Sequence, residues 1–257
     1  MTLWVFGDSF AEDSASLKDY GRLNNASDFS WHKQIAEKLN LDYKNFGKGG
    51  SSLDYTFVKF NENRNNIKQY DIIIIALTNL DRRYFFKDRP HMSTALWIED
   101  SRELKAVQYY YEYLDNKEVF AVHLLNFLYN LQDLTKELNL HTILIPCFED
   151  IDLFLKGKTF LHFHIADGFL NKINEDEYDT EFFEKKLKRG YVDPRANHIV
   201  RSNHNILANK ILNNIEYKTN IKLTDFVTNI INEECLRDTK LIDYEFFFPE
   251  VIKKLIL

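Results

Sequence analysis

Apolar residues along the chain fall into two patterns, short unbroken runs and a three-to-four-residue spacing, and the two alternate in order. Leu3 to Phe6, Asp71 to Leu77 and His141 to Cys147 carry the short runs and each predicts a strand, as does the more polar Leu41 to Phe46. The second of these runs is aliphatic from Ile72 to Leu77, which predicts a central strand covered on both faces, as in a parallel sheet. Between the runs lie helical patterns. Ser30 reads as an N-cap before Trp31, Ile35 and Leu39, which repeat every four residues with Ala36 beside them. Leu53 to Gln69 reads as a helix with Tyr55 and Phe57 to Phe60 as its apolar contacts. Glu118 to Leu138 carries an apolar stripe of Phe120, Leu124, Phe127, Leu128, Leu131 and Leu134. Asn203 to Tyr217 places Ile206, Leu207, Lys210, Ile211 and Ile215 on one side. This alternation predicts an α/β protein, a three-layer doubly wound parallel sheet of flavodoxin-like type.

Several segments lack a simple period. Ala11 to Asp28 reads as a polar loop with one turn of helix crossing the top of the sheet. Residues 84–117 and 148–190 read as aromatic-rich helical insertions, and Tyr191 to Arg201 as a loop. The expected organisation is one α/β domain over residues 1–217. A helical C-terminal extension, 218–257, would pack on the same domain.

Composition narrows the partners. With 257 residues, 45% hydrophobic, 15% aromatic and four prolines, the chain is long and apolar enough to bury a core. A net charge of -6 disfavours a nucleic-acid partner, since phosphate binding needs a clustered positive surface. Cys147 and Cys235 form no C-x-x-C pair, and Cys147 lies in an apolar run, as a buried thiol in a reducing compartment would. No signal-peptide pattern is visible, and Ile72 to Leu77 is too short an aliphatic run to span a bilayer. A soluble, cytoplasmic protein with no membrane partner is expected.

The strand ends carry the candidate chemistry. Ser9 follows the first strand in Gly7-Asp8-Ser9, a glycine cluster (Gly47-Lys48-Gly49-Gly50-Ser51-Ser52) follows the second, and Asn79 follows the third. A parallel sheet brings all three to one edge, where such folds bind ligands. A serine acts as a nucleophile when a base takes its proton and donors receive the oxyanion. A backbone N–H of Gly50 or Gly49 and the Asn79 amide are suitable donors. The cluster does not have P-loop spacing. Asp193-Pro194-Arg195-Ala196-Asn197-His198 supplies an imidazole with a nearby carboxylate, so that Asp193 would orient His198. His204, with Arg201 three residues before it, is the weaker rival. Structural alternatives stand beside each role: Ser9 as a turn residue, Asn79 as a polar strand end, and Asp193 as a turn initiator before proline.

These blocks, in this order, resemble the SGNH hydrolases, also called GDSL esterases and lipases. Gly7-Asp8-Ser9-Phe10 is similar to their first block, Asn45-Phe46-Gly47-Lys48-Gly49-Gly50 to the second (N-x-G-x-x-G), and Leu77-Thr78-Asn79-Leu80 to the third (G-x-N-D). The chain departs from the pattern at Leu77 and Leu80, and at Arg195, which stands where D-x-x-H has its aspartate. The resemblance implies Ser9 as nucleophile and His198 as base. Ser9, Gly50 and Asn79 would form the oxyanion hole, with no metal or organic cofactor. It implies a serine esterase or deacylase acting on a small-molecule or glycan ester, such as an O-acetyl group on a carbohydrate. An O-acyltransferase using the same site, or a non-catalytic module on the same fold, are the alternatives. Two further features stand outside this scheme. His162 and His164 alternate as metal ligands on a strand would, without a third ligand, and Arg82, Arg83, Arg189 and Arg195 are available to an anionic substrate.

Overall fold

The computed structural model describes residues 1–13, 30–86, 98, 100–170 and 201–223. Five parallel strands form one sheet: β1 (Thr2–Gly7), β2 (Asp42–Gly47), β3 (Ile72–Leu77), β4 (His141–Pro146) and β5 (Phe163–Ile165), in the order β2-β1-β3-β4-β5. Helices α1 (Trp31–Leu39) and α6 (Arg201–Tyr217) cover one face. Helices α2 (Leu53–Asn63), α4 (Lys117–Leu138) and α5 (Glu149–Lys156) cover the other. The three-layer doubly wound α/β fold expected from the alternation is present.

Alternation along the strands builds both cores. Leu3, Val5, Ile72, Ile74, Ala76, Ile143 and Ile145 pack with Trp31, Ile35, Leu207 and Ile211. Trp4, Phe6, Ile73, Ile75 and Leu77 pack with Leu53, Phe60 and the α4 stripe from Phe120 to Leu134. Ile72 to Ile75 are all at most 1% exposed, so each stabilises the sheet by roughly 1.5–3 kcal/mol through burial alone. Among the described residues no helix is long and apolar enough to cross a membrane.

The N-terminal end of the sheet is fastened by one carboxylate. Asp71, buried just before β3, accepts hydrogen bonds from the backbone N–H of Thr2 (2.7 Å) and the Trp4 indole (2.8 Å) on β1, and from Lys68 N–H (2.9 Å). It therefore ties β1 to β3 where the strands begin.

Some boundaries differ from expectation. The helix expected to reach Gln69 stops at Asn63, followed by a 3₁₀ turn, Arg64–Asn66. The chain must turn to enter β3, and Tyr70 (φ 67°) with the Asp71 bond to Lys68 makes that turn. Residues 84–117 contain α3 (Ser101–Tyr109), capped by Asp100 and continued by a π turn, Tyr110–Leu114. The segment 148–190 is more than a helical insertion, because it supplies α5 and the edge strand β5. The start of the expected helical extension is not helical either. After Lys218 (φ 58°) the chain runs beside Asp167, whose N–H donates to the Ile221 carbonyl (2.8 Å) and whose carbonyl accepts from Leu223 N–H (2.8 Å). Ile221 and Leu223 join the α1–α6 core. Residues 224–257, with Cys235, lie outside the described residues, as do 14–29.

Candidate active site

Strand order reverses at β1, which has β2 on one side and β3 on the other, so the crevice at its C-terminal end is the switch point where doubly wound sheets bind ligands. Gly7 ends β1 in register with Gly47 of β2 and Ala76 of β3. Its φ of 149° and the approach of β3 admit only glycine: a Cβ there would lie 2.6 Å from the Ala76 carbonyl oxygen.

The chain then makes a tight turn. Ala11 N–H donates to the Asp8 carbonyl (3.0 Å), and Phe10 N–H to Asp8 Oδ1 (3.0 Å), a pattern aspartate favours in turns. Ser9 sits on this turn with 9% of its surface exposed. Among the described residues its hydroxyl makes no hydrogen bond, while both neighbours are fixed. Asp8 is fully buried, and its Oδ2 accepts from the Thr78 hydroxyl (2.6 Å) and from Arg82 Nη1 (3.1 Å). The Phe10 carbonyl accepts from the Trp31 indole (2.8 Å).

The glycine loop is laced to this turn. The Gly7 carbonyl accepts from Lys48 N–H (3.1 Å) and from the Ser51 hydroxyl (3.3 Å). Asn45 accepts from Gly47 N–H (2.8 Å) and donates to the Ala11 carbonyl (2.9 Å) and Asp13 (3.0 Å), so the first residue of the second block holds the turn that carries Ser9. A side chain on Gly47 would collide with the Ala11 carbonyl. Within the Gly49-Gly50 pair, Gly50 adopts the left-handed conformation (φ 70°), and Ser52 then caps α2 by accepting from Tyr55 N–H (3.3 Å).

Asn79 follows β3 at the same edge, half-buried. Its Oδ1 accepts from Asp81 N–H (2.6 Å), which leaves the Nδ2 group as its donor. The two departures from G-x-N-D have a packing cause. Leu77 is fully buried in the α2–α4 core and Leu80 packs against that core, while Leu80 N–H donates to Asp150 (2.7 Å). Burial raises the Asp150 carboxyl above its ordinary value.

The structure thus brings Ser9, Gly50 and Asn79 to three neighbouring strand ends. His198 and Asp193, expected as base and orienter, lie outside the described residues, as do Arg189 and Arg195. His204 is buried in α6, where its Nδ1 accepts from Trp31 N–H (3.3 Å) at the start of α1. It therefore supplies the capping acceptor there, and the Ser30 side chain makes no such bond. Arg82 and Arg83 are both engaged internally. Arg83 pairs with Asp115 (2.7 Å) and lies 4.1 Å from the Phe120 ring, while Arg82 pairs with Asp8 and lies 5.2 Å from the Phe148 ring. Sequence reasoning gave no supporting role to Asp8 or Thr78 and read Arg82 as available to an anionic substrate; Asp8 meets the other two across 70 or more positions of chain. Cys147 is fully buried beside Asp8, and burial first, then the aspartate, pushes its thiol well above the ordinary range.

The histidine pair expected on one strand face is arranged differently. His162 is exposed and precedes the three-residue β5, whereas His164 stacks on His141 of β4 (4.6 Å, 14°). The hydrogen bonds fix both as neutral imidazoles. Lys218 Nζ donates to His141 Nδ1 (2.9 Å), so His141 Nε2 carries the proton and donates to Asn214 Oδ1 (3.0 Å). Asn214 Nδ2 donates to His164 Nδ1 (3.2 Å) and to the Thr219 carbonyl (2.6 Å). Burial, with Lys218 and His164 nearby, lowers His141 to about 4; burial and Lys218 lower His164 as well. Among the described residues no group of three His, Cys, Asp or Glu side chains is placed to hold a metal.

The fold and this edge define a doubly wound α/β protein with a serine-bearing switch point. Compared with known families and curated proteins, the chain matches no family model and no curated sequence.

Proposed function

We propose that this protein is a serine esterase or deacylase of SGNH type. Ser9 attacks an ester carbonyl while His198 takes its proton and returns it to the leaving alcohol, with Asp193 orienting the imidazole. The N–H groups of Ser9 and Gly50 and the Asn79 amide stabilise the oxyanion, and water releases the acyl-enzyme. The chemistry of these groups calls on no metal or organic cofactor. The substrate is a small-molecule or glycan ester, with a short acyl group on a carbohydrate as the leading case, and the reaction runs in the cytoplasm.

One observation carries this reading. A serine with no competing hydrogen bond among the described residues, a left-handed glycine and an asparagine with its amide donor uncommitted occupy adjacent strand ends at a topological switch point. Ser9→Ala should reduce hydrolysis of p-nitrophenyl acetate by at least about a thousandfold with the fold unchanged. A fluorophosphonate should label Ser9 in the wild-type protein. Unchanged turnover in Ser9→Ala overturns the assignment.

A further inference from the structure

One side chain reaches three of the loops that surround Ser9. Arg82, beyond the end of β3, donates from Nη1 to Asp8 Oδ2 (3.1 Å) and over a longer distance to the Ser51 carbonyl (3.4 Å). Its guanidinium lies over Phe148, beyond the end of β4, and Phe148 meets Phe10 edge-on at 5.9 Å. Asp8 is the residue before Ser9, and Ser51 is the residue after Gly50.

We propose that Arg82 is a positioning residue that sets the spacing between the Ser9 hydroxyl and the Gly50 N–H. The inference rests on the esterase reading above. Its physical basis is a division of labour. Asp8 is also held by Phe10 N–H and the Thr78 hydroxyl, and the glycine loop by its two bonds to the Gly7 carbonyl. Each loop therefore keeps its own shape without Arg82. Beside the links from Asn45 to Ala11 and from Lys48 to Glu12, the arginine adds a further tie, from the residue before Ser9 to the residue after Gly50, together with the positive charge opposite a fully buried carboxylate. A planar guanidinium suits the task, because its rigid fork fixes direction as well as distance. Arg82 touches no reacting atom in this scheme; it acts through Asp8 and Ser51.

The test compares wild type with Arg82→Gln, Arg82→Lys and Arg82→Ala on p-nitrophenyl acetate, with fluorophosphonate labelling and melting temperature measured in parallel. A displacement of about 1 Å costs about a hundredfold in rate, so Arg82→Gln should lose about that factor in kcat while KM changes little. Arg82→Lys should recover part of the loss, and low-millimolar guanidinium should partly restore Arg82→Ala. If Arg82→Gln keeps wild-type kcat and labels at the wild-type rate, positioning is overturned and the esterase reading stands. A raised KM with unchanged kcat also overturns it, since the arginine would then be binding substrate. If the wild-type protein neither labels nor turns over, the esterase reading fails and the positioning role falls with it.

Discussion

The imidazoles of His141 and His164 stack 4.6 Å apart and nearly parallel, and a lysine ammonium donates to His141 from 2.9 Å. Neither ring can accept a proton without losing a bond. A proton on His141 Nδ1 would face the Lys218 ammonium, and one on His164 Nδ1 would face the Asn214 amide hydrogens. His141 titrates near 4 in the folded protein, against an ordinary value of 6.5. The unfolded chain therefore holds more protons between these limits, and stability is full above pH 6.5 and falls as pH falls towards 4. With allowance for its partial exposure, His141 should account for about 2 kcal/mol of that loss. Urea unfolding at pH 7 and pH 5 checks this. His141→Phe keeps a ring to stack and should flatten the slope between the two; an equal slope would remove the histidine pair as its cause.

Asp71 supplies the acceptors for two groups on β1 and one in the turn before β3. Asp71→Ala leaves the buried Trp4 indole N–H without an acceptor and should lower unfolding free energy by about 3 kcal/mol. The same urea titration reads it. Because Asp71 lies at the end of the sheet remote from Ser9, kcat of the folded fraction should not change.

On the proposed mechanism His198 serves the chemistry, while His204 caps α1. His204→Ala removes the acceptor at the start of α1 and should cost about 1 kcal/mol of stability, with ester turnover retained. His198→Ala should abolish turnover with little change in melting temperature. The reverse pattern would move the base to His204.

The strands that the sequence reveals are those whose surroundings are uniform. Ile72 to Leu77 lies between two helical layers, so every position is apolar and the run stands out. Phe163–Ile165 is only three residues long, is half-buried and has a histidine at its centre, so neither a run nor an alternation marks it. It becomes a strand because β4 offers it an edge. Ile221 to Leu223 escaped notice for a similar reason, since its pairing partner Asp167 lies more than fifty residues away.

At the candidate site, Ser9, Gly50 and Asn79 are legible because each lies two or three residues beyond a strand end. Their supports are not. The Asp8–Arg82 pair spans 74 positions and the His204–Trp31 bond 173, and no local pattern encodes contacts at such range. Leu77 and Leu80, which look like lapses from a motif, are positions where packing against the α2–α4 core decided the residue type.

Each strand of the central sheet has six residues, or three at β5, so about 20 Å separates the Asp71 and His141 end from the Ser9 end. That distance exceeds the range over which substitutions ordinarily couple. Changes at the two ends should therefore combine additively, with little epistasis. Loops at the serine end can diverge while the opposite end continues to set acid tolerance, and a variant weakened at one end can be compensated at the other without retuning the first.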